Sequence, residues 1–156
     1  GERKILQIKD TRNFDSPKKT EGRFMIKLIY GPKGFGKTKI IMDDVDAAAK
    51  QAKGNVVFIT DKKICSVSID LNVRCVYTEE YGINSADSFT GFIMGLIAGN
   101  SDIEYIFIDG ALRIANCGLN DLEPLFDDLK KYNDVKVEMT VSAEKKDLPK
   151  FMLEHV

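Results

Sequence analysis

The chain has 156 residues, 44% of them hydrophobic and 30% charged, with 23 Lys and Arg against 24 Asp and Glu. That length and apolar share suit one globular domain able to bury about two-thirds of its unfolded surface, and they exclude wholesale disorder. A formal net charge of −1 excludes a nucleic-acid binder that works by bulk electrostatics, so a nucleic-acid partner is not indicated and only a local basic groove stays open to that role.

The first 24 residues differ from the rest, with seven Lys and Arg against four Asp and Glu. Residues 1–23 read as an N-terminal extension or edge strand. Lys4 to Asp10 supplies the strand, and Asp15-Ser16-Pro17-Lys18-Lys19-Thr20-Glu21-Gly22 supplies a turn or linker. From Phe24 to Tyr30 an almost continuous apolar run predicts a buried strand, followed by glycines and a helical stretch. Ile41, Val45, Ala48 and Ala52 recur at helical spacing, and Gly54 stops the helix. Asn55 to Thr60 reads as a strand buried on both faces, and Val73 to Thr78 as another.

Ser85 is placed to cap a helix running to Ala98, with Phe89, Phe92, Ile93, Leu96 and Ile97 toward the core. Ile103 to Ile108 is the next strand, closed by Asp109-Gly110. Asn120 and Glu123 have the spacing of a capping box, and Pro124 fits the first turn of the helix that follows. Val135, Val137, Met139 and Val141 alternate with polar residues, as in a strand with one less-covered face. A short helix with Phe151 and Met152 closes the pattern. Strands alternating with helices predict an α/β fold, a mainly parallel sheet between two helical layers.

Cys65, Cys75 and Cys117 are odd in number, contain no C-x-x-C pair and have a single His155 for company. They offer no zinc pattern and no disulfide framework, so thiols in a reducing, cytoplasmic setting are expected. No apolar run approaches the ~20 residues that span a bilayer, so membrane insertion is not expected.

The chemistry concentrates in Gly31-Pro32-Lys33-Gly34-Phe35-Gly36-Lys37-Thr38, which matches G-x-x-x-x-G-K-[ST] at every fixed position. Glycines let backbone N–H groups converge on phosphate oxygens, and the helix beginning near Gly36 points its positive end at the same anion. Lys37 reaches toward the β- and γ-phosphates, Thr38 offers a hydroxyl to Mg2+, and Lys39 completes the candidate nucleotide-binding stretch. Tyr105-Ile106-Phe107-Ile108-Asp109 is an apolar strand ending in an acid.

With these two motifs the chain resembles the P-loop NTPases, of the RecA-like type. The resemblance implies a three-layer α/β/α domain over residues 24–156, binding ATP and Mg2+, with Thr38 and Asp109 on the metal. In that family, strand 135–141 lies between the P-loop strand and the Asp109 strand; direct pairing of the latter two marks the kinase–GTPase division. Many hydrolytic members carry Glu after the Walker B Asp, where this chain has Gly110. Others place an acid at the end of the strand after the P-loop helix, where Asp61 stands here. Lys37, Asp109 and Asp61 are therefore the candidate catalytic residues, and Arg113 is a candidate arginine finger toward a neighbouring subunit.

Ser142-Ala143 follows a strand as the guanine-side pair does in GTPases. No N-K-x-D sequence accompanies it, so ATP is favoured. The chain also looks like small bacterial P-loop proteins, some labelled twitching-motility ATPases, although it lacks the histidine motifs of such enzymes. The expected function is a slow ATPase or nucleotide-dependent switch acting with an unknown protein partner or in a homo-oligomer. Two alternatives stand beside it: a phosphotransferase resembling thymidine kinase, whose loop is similar to Gly31-Pro32 and Phe35-Gly36-Lys37-Thr38, and a non-catalytic nucleotide-binding interaction module.

Overall fold

The computed structural model describes residues 26–63 and 70–156. The extension expected at 1–23, its Lys4–Asp10 edge strand and Cys65 lie outside the described residues. Among the described residues five strands form one sheet: β1 Ile26–Gly31, β2 Asn55–Thr60, β3 Val73–Tyr77, β4 Ile103–Asp109 and β5 Lys136–Ser142. Their order is β1-β5-β4-β2-β3, and every neighbouring pair is parallel. The strand at 136–142 therefore separates the glycine-loop strand from the Asp109 strand, the order expected of a RecA-like sheet. β1 and β4 are not neighbours, so the kinase–GTPase arrangement is absent.

Helices cover both faces unequally. Against one face lie α2 (Ala86–Gly99), α3 (Ala111–Ala115), α4 (Glu123–Leu129) and α5 (Lys150–Leu153), burying Phe89, Ile93, Ile114, Phe126 and Met152 with Leu28, Ile106, Ile108 and Met139 of the sheet. Against the other lies α1 (Lys37–Gln51), whose Ile40, Ile41, Val45 and Ala48 meet Ile29, Val56, Phe58 and Phe107. Fully burying each of the larger of these side chains stabilises by about 1.5–3 kcal/mol.

The alternation in β5 has a different cause from an open face. Val137, Met139 and Val141 enter the core on the α2–α5 side, while Glu138 and Thr140 are buried on the α1 side. A central strand tolerates polar residues there because they have polar neighbours. Glu138 is the register partner of Lys27 in β1, and the Lys27 ammonium lies 4.0 Å from a carboxylate oxygen of Asp44 on α1.

Local signals in the sequence are realised unevenly. Ser85 caps α2 as expected, accepting from the Ser88 N–H while the Ser88 hydroxyl accepts from the Ser85 N–H. Phe89 and Ile93 are buried; Phe92, Leu96 and Ile97 are only partly so. The Asn120–Glu123 capping box does not form. A 3-10 turn at Leu119–Leu122 precedes α4 instead, and the Asp121 carboxylate accepts from the Gly118 N–H. Pro124 sits in the first turn of α4, where its missing N–H costs nothing. Helix α3 has no counterpart in the sequence reading, because five residues are too few to show a period. Cys75 on β3 is disulfide-bonded while Cys117 is a free thiol, so the expectation of three thiols fails at Cys75. Among the described residues no helix is long and apolar enough to cross a membrane.

At the outer edge of β1 the chain after α5 acts as a clamp. The Leu28 N–H donates to the His155 carbonyl at 3.0 Å, and the His155 imidazole is hydrogen-bonded to the backbone of Ile26. Its ring packs on Phe126 with centroids 5.6 Å apart. Burial is the main influence on the imidazole and holds its pKa below the ordinary value. A depressed histidine binds fewer protons folded than unfolded, so stability is complete above about pH 6.5 and falls as pH drops toward the folded value. Urea midpoints measured from pH 8 to pH 5 should decline below about pH 6.5, and His155→Gln should flatten that decline.

Candidate functional site

The site lies where parallel α/β sheets usually place theirs, at the carboxyl ends of the strands. β1 ends in Gly31, and the loop to α1 carries positive φ at Gly34 (78°) and Gly36 (88°), conformations that L side chains rarely adopt. Such a backbone forms a concave row of N–H groups in front of a helix N-terminus, a natural anion cradle. Phe35 packs against the core beneath α1. Lys33 lies at the loop surface, and Lys39 points away, pairing with Asp43 at 3.4 Å on the outer side of α1. The Lys39 side chain is therefore not part of the cradle.

Lys37 is only 7% exposed. Its ammonium donates to the carbonyls of Gly31 at 2.9 Å and Pro32 at 2.8 Å, closing the loop on itself. Burial lowers its pKa; Asp109 opposes that shift, and Arg113, Lys62 and Lys33 add to it. Several cations thus converge on one loop, an electrostatic arrangement that favours a polyanion.

Asp109, at the end of β4, is 1% exposed. One carboxylate oxygen accepts from the Thr38 hydroxyl at 2.9 Å, the other from the Thr140 hydroxyl at 2.8 Å. The Thr140 oxygen in turn accepts from the Gly110 N–H at 2.8 Å. Thr38 and Asp109, which are 71 residues apart in sequence, are therefore in direct contact. Thr140 was not among the residues singled out from the sequence. Its signal was there: a polar residue in a strand required to be central needs a buried polar partner.

Asp61 follows Thr60, the register partner of Asp109, and so stands level with Gly110. It is not a free loop carboxylate. Arg113, on α3, grips it through two bonds, Nε to Oδ2 at 3.1 Å and Nη2 to Oδ1 at 3.0 Å. Nη2 also lies 3.4 Å from the Asp109 carbonyl oxygen. The guanidinium is thus engaged within its own chain rather than reaching outward as the finger that the sequence left open.

Among the described residues no cluster of three or more His, Cys, Asp or Glu is arranged to hold a metal ion. Thr38 and Asp109 nevertheless fit Mg2+. That ion keeps most of its shell as water and phosphate and takes only one or two protein oxygens.

No protein-family model matches the sequence, and no curated protein does. Among solved structures, the fold is similar to domain III of the Thermotoga maritima replication initiation protein DnaA. The TM-score is 0.52 at 13% identity, and the match covers 99% of this chain and 59% of that one. The likeness is one of fold alone, a parallel α/β sheet between helices. It lends nothing to the twitching-motility label.

Thr140→Val keeps the shape but removes both bonds of the hydroxyl, leaving the Gly110 N–H unpaired and Asp109 with one donor fewer. Urea unfolding should show a loss of about 1–3 kcal/mol, which Thr140→Ser should largely restore.

Proposed function

We propose that the protein binds ATP with Mg2+ in the loop Gly31–Lys39 and hydrolyses it slowly, as a nucleotide-dependent switch. The observation that carries this reading is the 2.9 Å contact between Thr38 and Asp109, which joins the end of the glycine-rich loop to the acid-ended strand. In this proposal the loop backbone from Gly31 to Thr38 holds the phosphates. Lys37 exchanges the carbonyls of Gly31 and Pro32 for phosphate oxygens. Thr38 and Asp109 hold Mg2+, whose charge, when bound, offsets that of the β- and γ-phosphates. Asp61 is the acid that orients the attacking water.

The phosphotransferase alternative gains no support from the geometry. A base beside Asp109 would stand at residue 110, which is a glycine covered by Arg113. A switch acts on something, and a protein partner or a second copy of the chain is part of the proposal. The reading carries a cytoplasmic location with it, because ATP is held there; with Cys75 disulfide-bonded, the cysteines no longer argue for one.

Titration calorimetry with ATP and Mg2+ tests binding. Lys37→Ala removes a charged donor that is worth about 1.5–3 kcal/mol, so affinity should fall roughly 10- to 150-fold; equal affinity in variant and parent overturns the phosphate-binding role. Asp109→Asn should weaken the dependence on Mg2+ more than the affinity for free nucleotide, and unchanged Mg2+ titrations would remove Asp109 from the metal.

Rate is a separate test. Ras-type enzymes with a positioned glutamine but no arginine finger turn over at about 10⁻⁴ s⁻¹. The isolated protein should therefore not exceed about 10⁻² s⁻¹, a barrier of roughly 20 kcal/mol. Several turnovers per second from purified monomer would contradict the slow-switch reading.

A further inference from the structure

Gly110 has φ 92° and no side chain, and the Arg113 guanidinium occupies the space beside it. A Cβ added at Gly110 would collide with Nη2 and Cζ of Arg113. The position where many hydrolytic relatives of the fold carry an acid is thus filled by a cation. That cation fastens the neighbouring acid, Asp61, by a planar two-point fork. The fork fixes the direction of the carboxylate plane, which a single bond to lysine does not.

We infer that Arg113 is a positioning residue acting in its own chain: it holds Asp61 at the end of β2 as the water-orienting acid that position 110 lacks. The inference rests on the hydrolytic reading above. Each oxygen of Asp61 spends one acceptor site on Arg113, and a carboxylate has about four, so capacity to accept from a water remains. In the step concerned, the water oxygen bonds to the γ-phosphorus as the bond to the β–γ bridging oxygen breaks. ADP leaves with that electron pair, and the proton shed by the water ends on the released phosphate. Asp61 orients the water by accepting from it, and Arg113 touches neither the water nor the phosphate.

The geometry sets this against two other roles for the same arginine. A finger acting on a second copy requires a guanidinium free to leave its chain, whereas this one is spent on Asp61 and the Asp109 carbonyl. A brake requires that its removal speed hydrolysis. Glu144, exposed just beyond β5, is another acid at this end of the sheet and serves as the comparison.

The test measures single-turnover ATP hydrolysis with Mg2+, ATP affinity by calorimetry and thermal unfolding for the parent and Asp61→Asn, Arg113→Ala, Arg113→Lys, Asp61→Asn with Arg113→Ala, and Glu144→Gln. Misplacing a reacting partner by an ångström costs about 10²-fold, so Asp61→Asn and Arg113→Ala should each lose roughly that in kcat while ATP affinity holds. The double variant should fall no further than either single one, because the pair acts as a unit. Arg113→Lys keeps the charge without the fork and should rescue little, and Glu144→Gln should keep the parent rate. Should Arg113→Ala disturb folding, Arg113→Lys and Asp61→Asn, which are close in shape, carry the same comparison.

The inference is overturned if Arg113→Ala hydrolyses as fast as the parent or faster, if its loss is matched by lost ATP affinity, or if Glu144→Gln is the variant that fails. A parent that binds ATP without ever hydrolysing it overturns the positioning role and leaves the binding reading intact. A parent that binds no ATP removes both.

Discussion

One buried carboxylate ties the architecture together. Asp109 is almost inaccessible to water, and a charge in that position is tolerable only with donors on its oxygens. It has two, from opposite directions: Thr38 at the start of α1 and Thr140 in β5. That requirement explains why a strand with a hydroxyl at position 140 lies beside β4, and why the glycine loop folds over toward the same strand. Sheet order and site geometry here have a common cause. Moving β5 elsewhere would strip the acid of a donor and the Gly110 N–H of its acceptor at once.

The two faces of the sheet divide the labour. Four helices seal one side with an almost wholly apolar core, which supplies most of the hydrophobic stabilisation. On the other side, among the described residues, α1 covers a smaller apolar cluster, and polar residues of the sheet interior gather there: Lys27, Glu138, Thr140 and Asp109. α1 is thus both the cover of that side and the helix whose first turn carries Lys37 and Thr38. The end that carries the candidate site can be polar because the opposite face is almost wholly apolar.

Much of this was legible in the residues. The strands showed as apolar runs, the glycine loop as a fixed spacing, and the Ser85 cap as a local hydrogen-bonding option with no competitor. The parts that were not legible depend on distance in space. Asn120 and Glu123 have the right spacing for a box, yet a 3-10 turn capped by Asp121 took their place. Val137, Met139 and Val141 alternate as a half-exposed strand would, because sequence cannot show that Thr140 meets Asp109 on β4 or that Glu138 lies beside Lys27 on β1. Arg113 was visible as a cation after Asp109, but its direction is set by α3, too short to announce itself. The Asp61 pairing follows from register between β2 and β4, which no local pattern encodes.

The contact between Gly110 and Arg113 also bears on how such a chain can change over generations. Replacing Gly110 by an acid means forcing a side chain into a left-handed backbone and into space already filled by a guanidinium. Removing Arg113 first leaves Asp61 without its fork before any new acid has arrived. Each single substitution carries a structural cost: a side chain at 110 meets the guanidinium, and loss of Arg113 leaves the Asp61 carboxylate without its two donors. The two positions are therefore coupled, and a change at one alters what the other can accept.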